Sequence, residues 1–170
     1  MHDRIISIID YDPAWPRRFD ELAARARGLL GAVVLRIEHV GSTAVIGLAA
    51  KPVIDLDIVV NSPRDLEIAI LKLAQIGYIH EGDLGVPGRE AFRSPAGEGP
   101  HHLYVLVEGT RELQRHLAFR DALRADAALR DEYSRLKRSL AIRHADDRVA
   151  YTDGKTEFVQ AVLASRTGIG

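Results

Sequence analysis

An eight-residue run near the middle of the chain, Val53 to Val60, constrains the fold more than any other segment. It reads Val-Ile-Asp-Leu-Asp-Ile-Val-Val, and its β-branched and alternating residues predict a strand. Because side chains alternate along a strand, Asp55 and Asp57 share one face, about 7 Å apart, while the opposite face is wholly apolar and must be covered. The carboxylate face is either the exposed side of a half-buried strand or a ligand for one or two divalent cations.

The overall composition excludes several classes of protein. The 170 residues contain no cysteine, which removes disulfides, thiol nucleophiles, iron–sulfur clusters and cysteine zinc sites. With 23 Lys and Arg against 24 Asp and Glu, no net charge draws the chain to nucleic acid or to an anionic membrane. The apolar stretches are too short to span a bilayer, and Met1 to Ile6 lack the basic-then-apolar pattern of a signal peptide. We therefore expect one cytoplasmic domain over residues 1–170, with no membrane partner and with nucleic-acid binding disfavoured.

Capping residues and periodicity predict the other elements. Asp12-Pro13 is typical of the start of a helix that ends near Gly31, and Ser62-Pro63 begins a second helix that ends at Gly77. This order of elements predicts an α+β (α/β layered) fold in which helices pack on a mixed β-sheet and the C-terminal third is helical. The remaining predicted elements are strands over 33–40, 78–80, 89–93 and 101–107 and helices after Thr110, Asp126 and Gly154.

The loop between the strands predicted over 33–40 and 53–60 carries Gly41-Ser42-Thr43. A residue without a side chain and two hydroxyl residues let backbone amides approach phosphate oxygens, although ordinary turns use the same residues. An apolar strand, Gly41-Ser42, twelve further residues and then Asp55-Leu56-Asp57 resemble the signature of the DNA polymerase beta-like nucleotidyltransferase superfamily. The resemblance implies a nucleotidyltransferase-like fold.

More of the chain resembles the GrpB family of small bacterial proteins. The segments that carry the resemblance are Tyr11 to Pro13, Trp15-Pro16, Ile37 to Thr43, Gly47-Leu48, Ala50 to Ile58, His101 to Leu103, Phe119 to Asp121, Leu123-Arg124, Tyr133, Leu136-Lys137, Tyr151, Lys155 and Phe158. They span nearly the whole chain and imply a minimal nucleotidyltransferase domain, which in some bacteria is fused to dephospho-coenzyme A kinase. Two positions depart from the family pattern: Ile46 replaces the usual proline, which loosens the loop, and Tyr104 replaces a usual third histidine.

The strand predicted over 101–107 offers a third ligand. His102 and Tyr104 share one of its faces, which we expect to turn toward the paired carboxylates. Active members of the superfamily generally use a third carboxylate on a neighbouring strand, and here Glu108 at the strand end is the candidate. If His102 takes that place, its nitrogen favours manganese- or zinc-like ions over magnesium; alternatively, it contacts phosphate or acts as an acid or base. Local hydrogen bonding of a histidine pair at a strand end explains the same residues.

Several basic residues are candidates for holding phosphate. Lys51 directly precedes the carboxylate strand, and Arg89 and Arg93 lie in a glycine-rich segment that is placed to close over a ligand, although solvated surface charges look the same in sequence. Arg120 and Lys137 match family motifs, and the resemblance implies that they edge the cleft and attract an anionic substrate. The predicted phosphate-binding set is Gly41, Ser42, Thr43, Lys51, Arg93, Arg120 and Lys137.

Together these residues predict a metal-dependent nucleotidyltransferase that moves a nucleoside monophosphate from a nucleoside triphosphate to an unidentified small-molecule acceptor. Asp55, Asp57 and His102 form the predicted catalytic and metal-binding set, with Mg or Mn as the ion. The alternative is a non-catalytic nucleotide- or metabolite-binding domain that assists a partner enzyme, with a link to coenzyme A metabolism. A missing third carboxylate favours this alternative, whereas the two retained acids oppose it, because buried acids without a ligand destabilise a fold. The sequence leaves the oligomeric state open, a homo-oligomer included.

Overall fold

A computed structural model of the chain describes residues 5–167. Met1 to Arg4, on which much of the prediction that a signal peptide is absent rests, lie outside the described residues. Within 5–167, no helix is long and apolar enough to cross a membrane. The five strands and six α-helices in this part of the chain confirm the predicted α+β architecture, with a mixed sheet and a helical C-terminal third.

The strands form one mixed sheet. Their bounds are Val34–Val40 (β1), Ile54–Val60 (β2), Ile79–Gly82 (β3), Glu90–Arg93 (β4) and His101–Val107 (β5). The sheet order is β1-β2-β5-β4-β3; β2 and β5 run parallel, and every other neighbouring pair is antiparallel. The carboxylate strand β2 therefore has a hydrogen-bonded neighbour on each side, and its parallel partner is the histidine strand.

The helices begin close to the capping residues that the sequence indicates. Their bounds are Trp15–Leu30 (α1), Pro63–Gln75 (α2), Arg111–Ala125 (α3), Ala127–Arg143 (α4), Arg148–Asp153 (α5) and Thr156–Thr167 (α6). Ser62 accepts a hydrogen bond from the backbone N–H of Asp65 at the start of α2, and Asp126 does the same for Leu129 at the start of α4. The six-residue α5 is absent from the sequence prediction, because so short a helix shows no clear 3.6-residue period.

Helices cover both faces of the sheet. On one face, Leu73 of α2 lies in a buried cluster with Ile58 of β2, and on the other, Leu113 of α3 lies in a buried cluster with Val59. The interpretation of β2 as a half-exposed strand is therefore wrong, because α3 packs over the carboxylate face and Asp57 is completely buried. Burial on both sides is typical of a strand in a layered α/β arrangement.

The C-terminal helices hold the loop between β1 and β2 in place. Ser42–Ala44 form a single 3₁₀ turn directly after β1. Val45 and Leu48 follow it and lie fully buried in a cluster with Leu123 of α3 and Tyr133 of α4. Packing of α3 and α4 against this loop thus fixes the position of the Ser42 turn beside β2.

Candidate functional site

The paired carboxylates of β2 lie beside two side chains of β5. The parallel register sets Asp55 opposite His102 and Asp57 opposite Tyr104. Nδ1 of His102 lies 2.8 Å from Oδ1 of Asp55, within hydrogen-bonding distance. The expectation that His102 and Tyr104 turn toward the carboxylates is confirmed, since residues at matching positions of adjacent strands point to the same side of the sheet.

Gly41 fits against Asp55 because it has no side chain. Its φ of 70° and ψ of −173° define a conformation that is essentially restricted to glycine. A Cβ atom at this position would overlap Oδ2 of Asp55 and lie 2.8 Å from its Cγ. Thr43 of the same loop is buried, and its hydroxyl oxygen lies 2.9 Å from Nε2 of His39. This part of the loop therefore packs directly on the carboxylate strand.

Asp57 forms a buried ion pair with a histidine of α3. Nδ1 of His116 lies 2.6 Å from Oδ2 of Asp57, and Nε2 lies 3.1 Å from Oε1 of Glu112, one helical turn earlier. Burial lowers the pKa of His116, but the two carboxylates outweigh it and raise that pKa to about 9, while burial raises the pKa of Asp57. Sequence analysis missed His116, although the Glu112 to His116 spacing of four residues on a predicted helix is a usable signal.

Four cationic side chains line a cavity of about 610 Å³ next to Asp55. They are Lys51, Lys137, Arg148 and Lys155, and Asp55 is the only acid in this wall among the described residues. Burial and the neighbouring charges of Lys51 and Arg148 lower the pKa of Lys155 to about 8, and burial and Arg148 lower the pKa of Lys51. Within residues 5–167 none of the four forms an ion pair, so four cations face a single carboxylate, Asp55, in this wall.

Aromatic rings rather than carboxylates hold three of these lysines. The Nζ atoms of Lys51 and Lys155 lie 4.2 and 4.5 Å from the ring centre of Tyr151, and Nζ of Lys137 lies 4.5 Å from that of Tyr133. Cation–π contacts position an ammonium group without neutralising its charge. The charges of Lys51 and Lys155 therefore stay available to an anion in the cavity.

Lys137 joins the cation wall to the glycine-serine turn. It is buried, and its ammonium donates hydrogen bonds to Oγ of Ser42, at 2.8 Å, and to the carbonyl oxygen of Ala49. Burial is the largest cause that lowers its pKa to about 7, with Lys155 and Arg138 adding repulsion. The phosphate-binding candidates Gly41, Ser42, Thr43, Lys51 and Lys137 are thus brought together, and the structure adds Arg148 and Lys155 to them.

Two predicted phosphate ligands and the candidate third carboxylate lie elsewhere. Arg93 pairs with Glu81 at 3.7 Å, and Arg120 donates to Oε2 of Glu38 at 2.8 Å. Neither arginine lines the cavities beside Asp55. Glu108 lies past the far end of β5 and pairs with an arginine of β1 at 2.5 Å. These three side chains already have partners in the folded protein and are not brought to the site.

Asp55 and Asp57 supply the oxygen donors that divalent cations prefer. Oδ1 of Asp57 is buried and accepts no hydrogen bond, so a cation held there would satisfy it. Across the described chain, no group of three or more His, Asp or Glu side chains is arranged to hold a metal ion. The two carboxylates fit a cation that takes its other ligands from substrate and water, and the three-residue set that includes His102 stays a prediction.

This sheet and helix arrangement is a nucleotidyltransferase fold. It is similar to the Cid1 poly(U) polymerase, in a structure with MgGTP bound, with a TM-score of 0.57 and 16% sequence identity. The similarity covers 80% of this chain and 45% of the Cid1 chain. At that level of identity, the comparison identifies the fold and leaves the reaction open.

Within this class, the chain belongs to the GrpB family, whose model, described as GrpB protein, matches residues 5–165. The crystal structure of GrpB from Enterococcus faecalis matches with a TM-score of 0.85 and 34% identity, over 94% of this chain and 96% of that one. A UPF0157 protein of Halalkalibacterium halodurans is 39% identical over 165 residues, which cover 95% of this chain and 83% of the relative. A dephospho-CoA kinase of Mycolicibacterium paratuberculosis is 29% identical over 86% of this chain and 42% of its own length.

Proposed function

We propose that this protein is a metal-dependent nucleotidyltransferase that transfers a nucleoside monophosphate from a nucleoside triphosphate to a small-molecule acceptor. The observation that carries the proposal is the cavity of about 610 Å³ in which four cations face the Ser42 turn and Asp55. A triphosphate brings further negative charge to a wall in which Asp55 is the only acid among the described residues. Asp55 at the edge of the same cavity, with Asp57 buried next to it on the same face of β2, would provide oxygen ligands for Mg or Mn.

The cation wall would hold the β- and γ-phosphates. Lys51, Arg148 and Lys155 present charges from three different elements or loops, so together they enclose a polyanion rather than a single ion. Lys137 donates to Ser42 and keeps the hydroxyl of that residue at the cavity wall. The lowered pKa of Lys155 means that a bound phosphate also favours its protonated form, which strengthens the contact.

The transfer would take place beside Asp55. An acceptor oxygen forms a bond to the α-phosphorus, the bond between that phosphorus and the bridging oxygen breaks, and pyrophosphate leaves toward the cation wall. The acceptor proton passes to the hydrogen-bonded Asp55–His102 pair. Asp55 and Asp57 would hold a divalent cation, which neutralises phosphate charge when it is bound.

A non-catalytic nucleotide-binding domain is the second candidate. It is favoured by the absence, within the described residues, of a cluster of three metal-ligating side chains. The similarity to less than half of a dephospho-CoA kinase supports a link to coenzyme A metabolism for such a domain. In this candidate the cation wall binds a phosphorylated metabolite for a partner enzyme, and no bond is broken.

Calorimetric titration tests the proposed nucleotide site. ATP, GTP, CTP and UTP are titrated with Mg or Mn into the wild type, into Lys155→Met and into the double variant Asp55→Asn/Asp57→Asn. The matched control is Arg135→Met, which removes one charge from an exposed position of α4 outside the cavity. Lys155→Met is expected to weaken binding about 10- to 100-fold, the effect of losing one charge-assisted hydrogen bond, and the control is expected to bind as the wild type does.

Pyrophosphate release over a panel of acceptors then separates the two candidates. Metal-dependent binding that the double variant loses, together with pyrophosphate release, supports the transferase. The same binding without release over the panel favours the non-catalytic domain. Equal affinity in the wild type and both variants would overturn the nucleotide site itself.

A further inference from the structure

We propose that a second, smaller cavity, which Asp55 also lines, binds the acceptor, and that the acceptor is a small hydroxyl compound carrying an oxyanion group. This inference rests on the proposed transfer reaction. The cavity has a volume of about 290 Å³, and its polar wall contains Asp55, Arg89, Tyr104, Glu112, Arg115 and His116. That volume lies at the lower end of ligand cavities and suits a small molecule rather than a polymer.

The two cavities meet at the reacting position. Asp55 and Tyr104 contribute to the walls of both, while the cations of the larger cavity do not reach the smaller one. A hydroxyl group held in the smaller cavity and a triphosphate held in the larger one would therefore meet beside Asp55. An in-line displacement at phosphorus needs the acceptor and the leaving group at separate positions around the reacting atom, and two distinct cavities provide separate sites for them.

Arg89 is the group that selects an anionic acceptor. Its guanidinium lies over the ring of Tyr104, 4.5 Å from the ring centre, and its Nε is buried without a hydrogen-bond partner. Among the residues that the structure describes, Arg89 has no carboxylate partner. A planar guanidinium with free donors matches the two oxygens of a carboxylate or phosphate.

The acids of the same wall have partners already and do not satisfy Arg89. Glu112 contacts His116 at 3.1 Å and Arg115 at 3.4 Å, and Asp55 contacts His102 at 2.8 Å. A cationic acceptor would thus have to displace an existing ion pair, whereas an oxyanion fills the open donors of Arg89. The cavity also has apolar lining residues, among them Phe119 and Val159, which would contact the carbon skeleton of the acceptor.

In the transfer, the acceptor hydroxyl gives its proton to the Asp55–His102 pair as its oxygen bonds to the α-phosphorus and pyrophosphate leaves. The oxyanion group on Arg89 takes no part in bond making and orients the molecule. Arg89 is therefore a specificity-determining residue, and its loss changes which acceptors bind without changing nucleotide binding.

The test uses a fragment library of hydroxyl compounds in which each carboxylate or phosphate ester is matched by its uncharged amide or alcohol. Binding is measured on the full chain by ligand-observed NMR, with ATP and Mg present and absent, for the wild type, Arg89→Met and the control Arg93→Met. Arg93 lies on β4 with its charge paired to Glu81, outside the cavity, so its variant removes the same charge from the same hairpin. A second variant, Val159→Phe, fills the apolar part of the cavity without altering charge.

We expect hits to concentrate among the oxyanion members, to weaken about 10- to 100-fold in Arg89→Met, to disappear in Val159→Phe and to persist in Arg93→Met. The carboxylate and phosphate arms identify which oxyanion the site takes. No hits, hits divided evenly between charged and uncharged members, or hits unaffected by both cavity variants would overturn the inference. ATP binding is measured on the same samples, so failure of the proposed nucleotide site appears separately from failure of the acceptor cavity.

Discussion

Replacing Lys137 with methionine is expected to stabilise the protein at neutral pH while it weakens nucleotide binding. Lys137 is 2% exposed, and its ammonium donates hydrogen bonds to Ser42 and to the carbonyl oxygen of Ala49. Methionine has a similar length and carries no charge, so it occupies the same space without a desolvated ammonium. The opposite signs of the two effects distinguish a functional lysine from a structural one.

The size of the stability effect follows from the lowered pKa. Burial first, then repulsion from Lys155 and Arg138, lower the pKa of Lys137 from 10.5 to about 7. The folded protein therefore releases this proton near pH 7 and the unfolded chain near pH 10.5. Between these values the unfolded chain binds more protons, so stability rises with pH. The shift destabilises the folded protein by about 4 kcal/mol at pH 7 and by about 2 kcal/mol at pH 9.

Loss of the two hydrogen bonds of Lys137 offsets roughly 2 kcal/mol of that gain. We therefore expect Lys137→Met to be about 2 kcal/mol more stable than the wild type at pH 7 and about equal to it at pH 9. Urea unfolding followed by circular dichroism at both pH values measures the difference, with Arg135→Met as the exposed control. A variant that is less stable than the wild type at pH 7, or a difference that does not change with pH, would show that burial of the Lys137 ammonium does not destabilise the folded protein.

Two further substitutions test the geometry around the carboxylates. Gly41→Ala is expected to lower the free energy of unfolding by about 3 kcal/mol, because strain at a glycine-only conformation adds to overlap with the Asp55 carboxylate. The control Gly97→Ala is also at positive φ but has open space around it, so it introduces the backbone strain alone. Equal losses of unfolding free energy in the two variants would contradict the overlap. His116→Leu is expected to lower the free energy of unfolding by about 3–5 kcal/mol, because it leaves Asp57 buried without its partner. Adding Asp57→Asn should recover much of that loss. Additive losses of unfolding free energy in the double variant would argue against a buried ion pair.

Local rules explain how much of the fold is readable from sequence. The strand β2 is predictable because the alternation of its side chains shows in consecutive residues. The starts of α2 and α4 are predictable because Ser62 and Asp126 each accept a hydrogen bond from a backbone amide only three residues away. The six-residue α5 gave no such signal. Because α5 was not predicted, its first residue, Arg148, was missed as one of the four cations that line the cavity.

The carboxylate pair, its strand and the glycine-serine turn before it are predictable from sequence, because side-chain alternation and backbone preference act within a few residues. Long-range packing accounts for the complete burial of Asp57 and for its pairing with His116, 59 positions away. The same packing brings lysines from a loop, from α4 and from the segment before α6 to one cavity. Arg93 and Arg120 lie outside the site in the folded protein, where each pairs with an acidic side chain. These outcomes depend on how helices pack across the sheet, and that packing brings together residues whose separation along the chain carries no periodic signal.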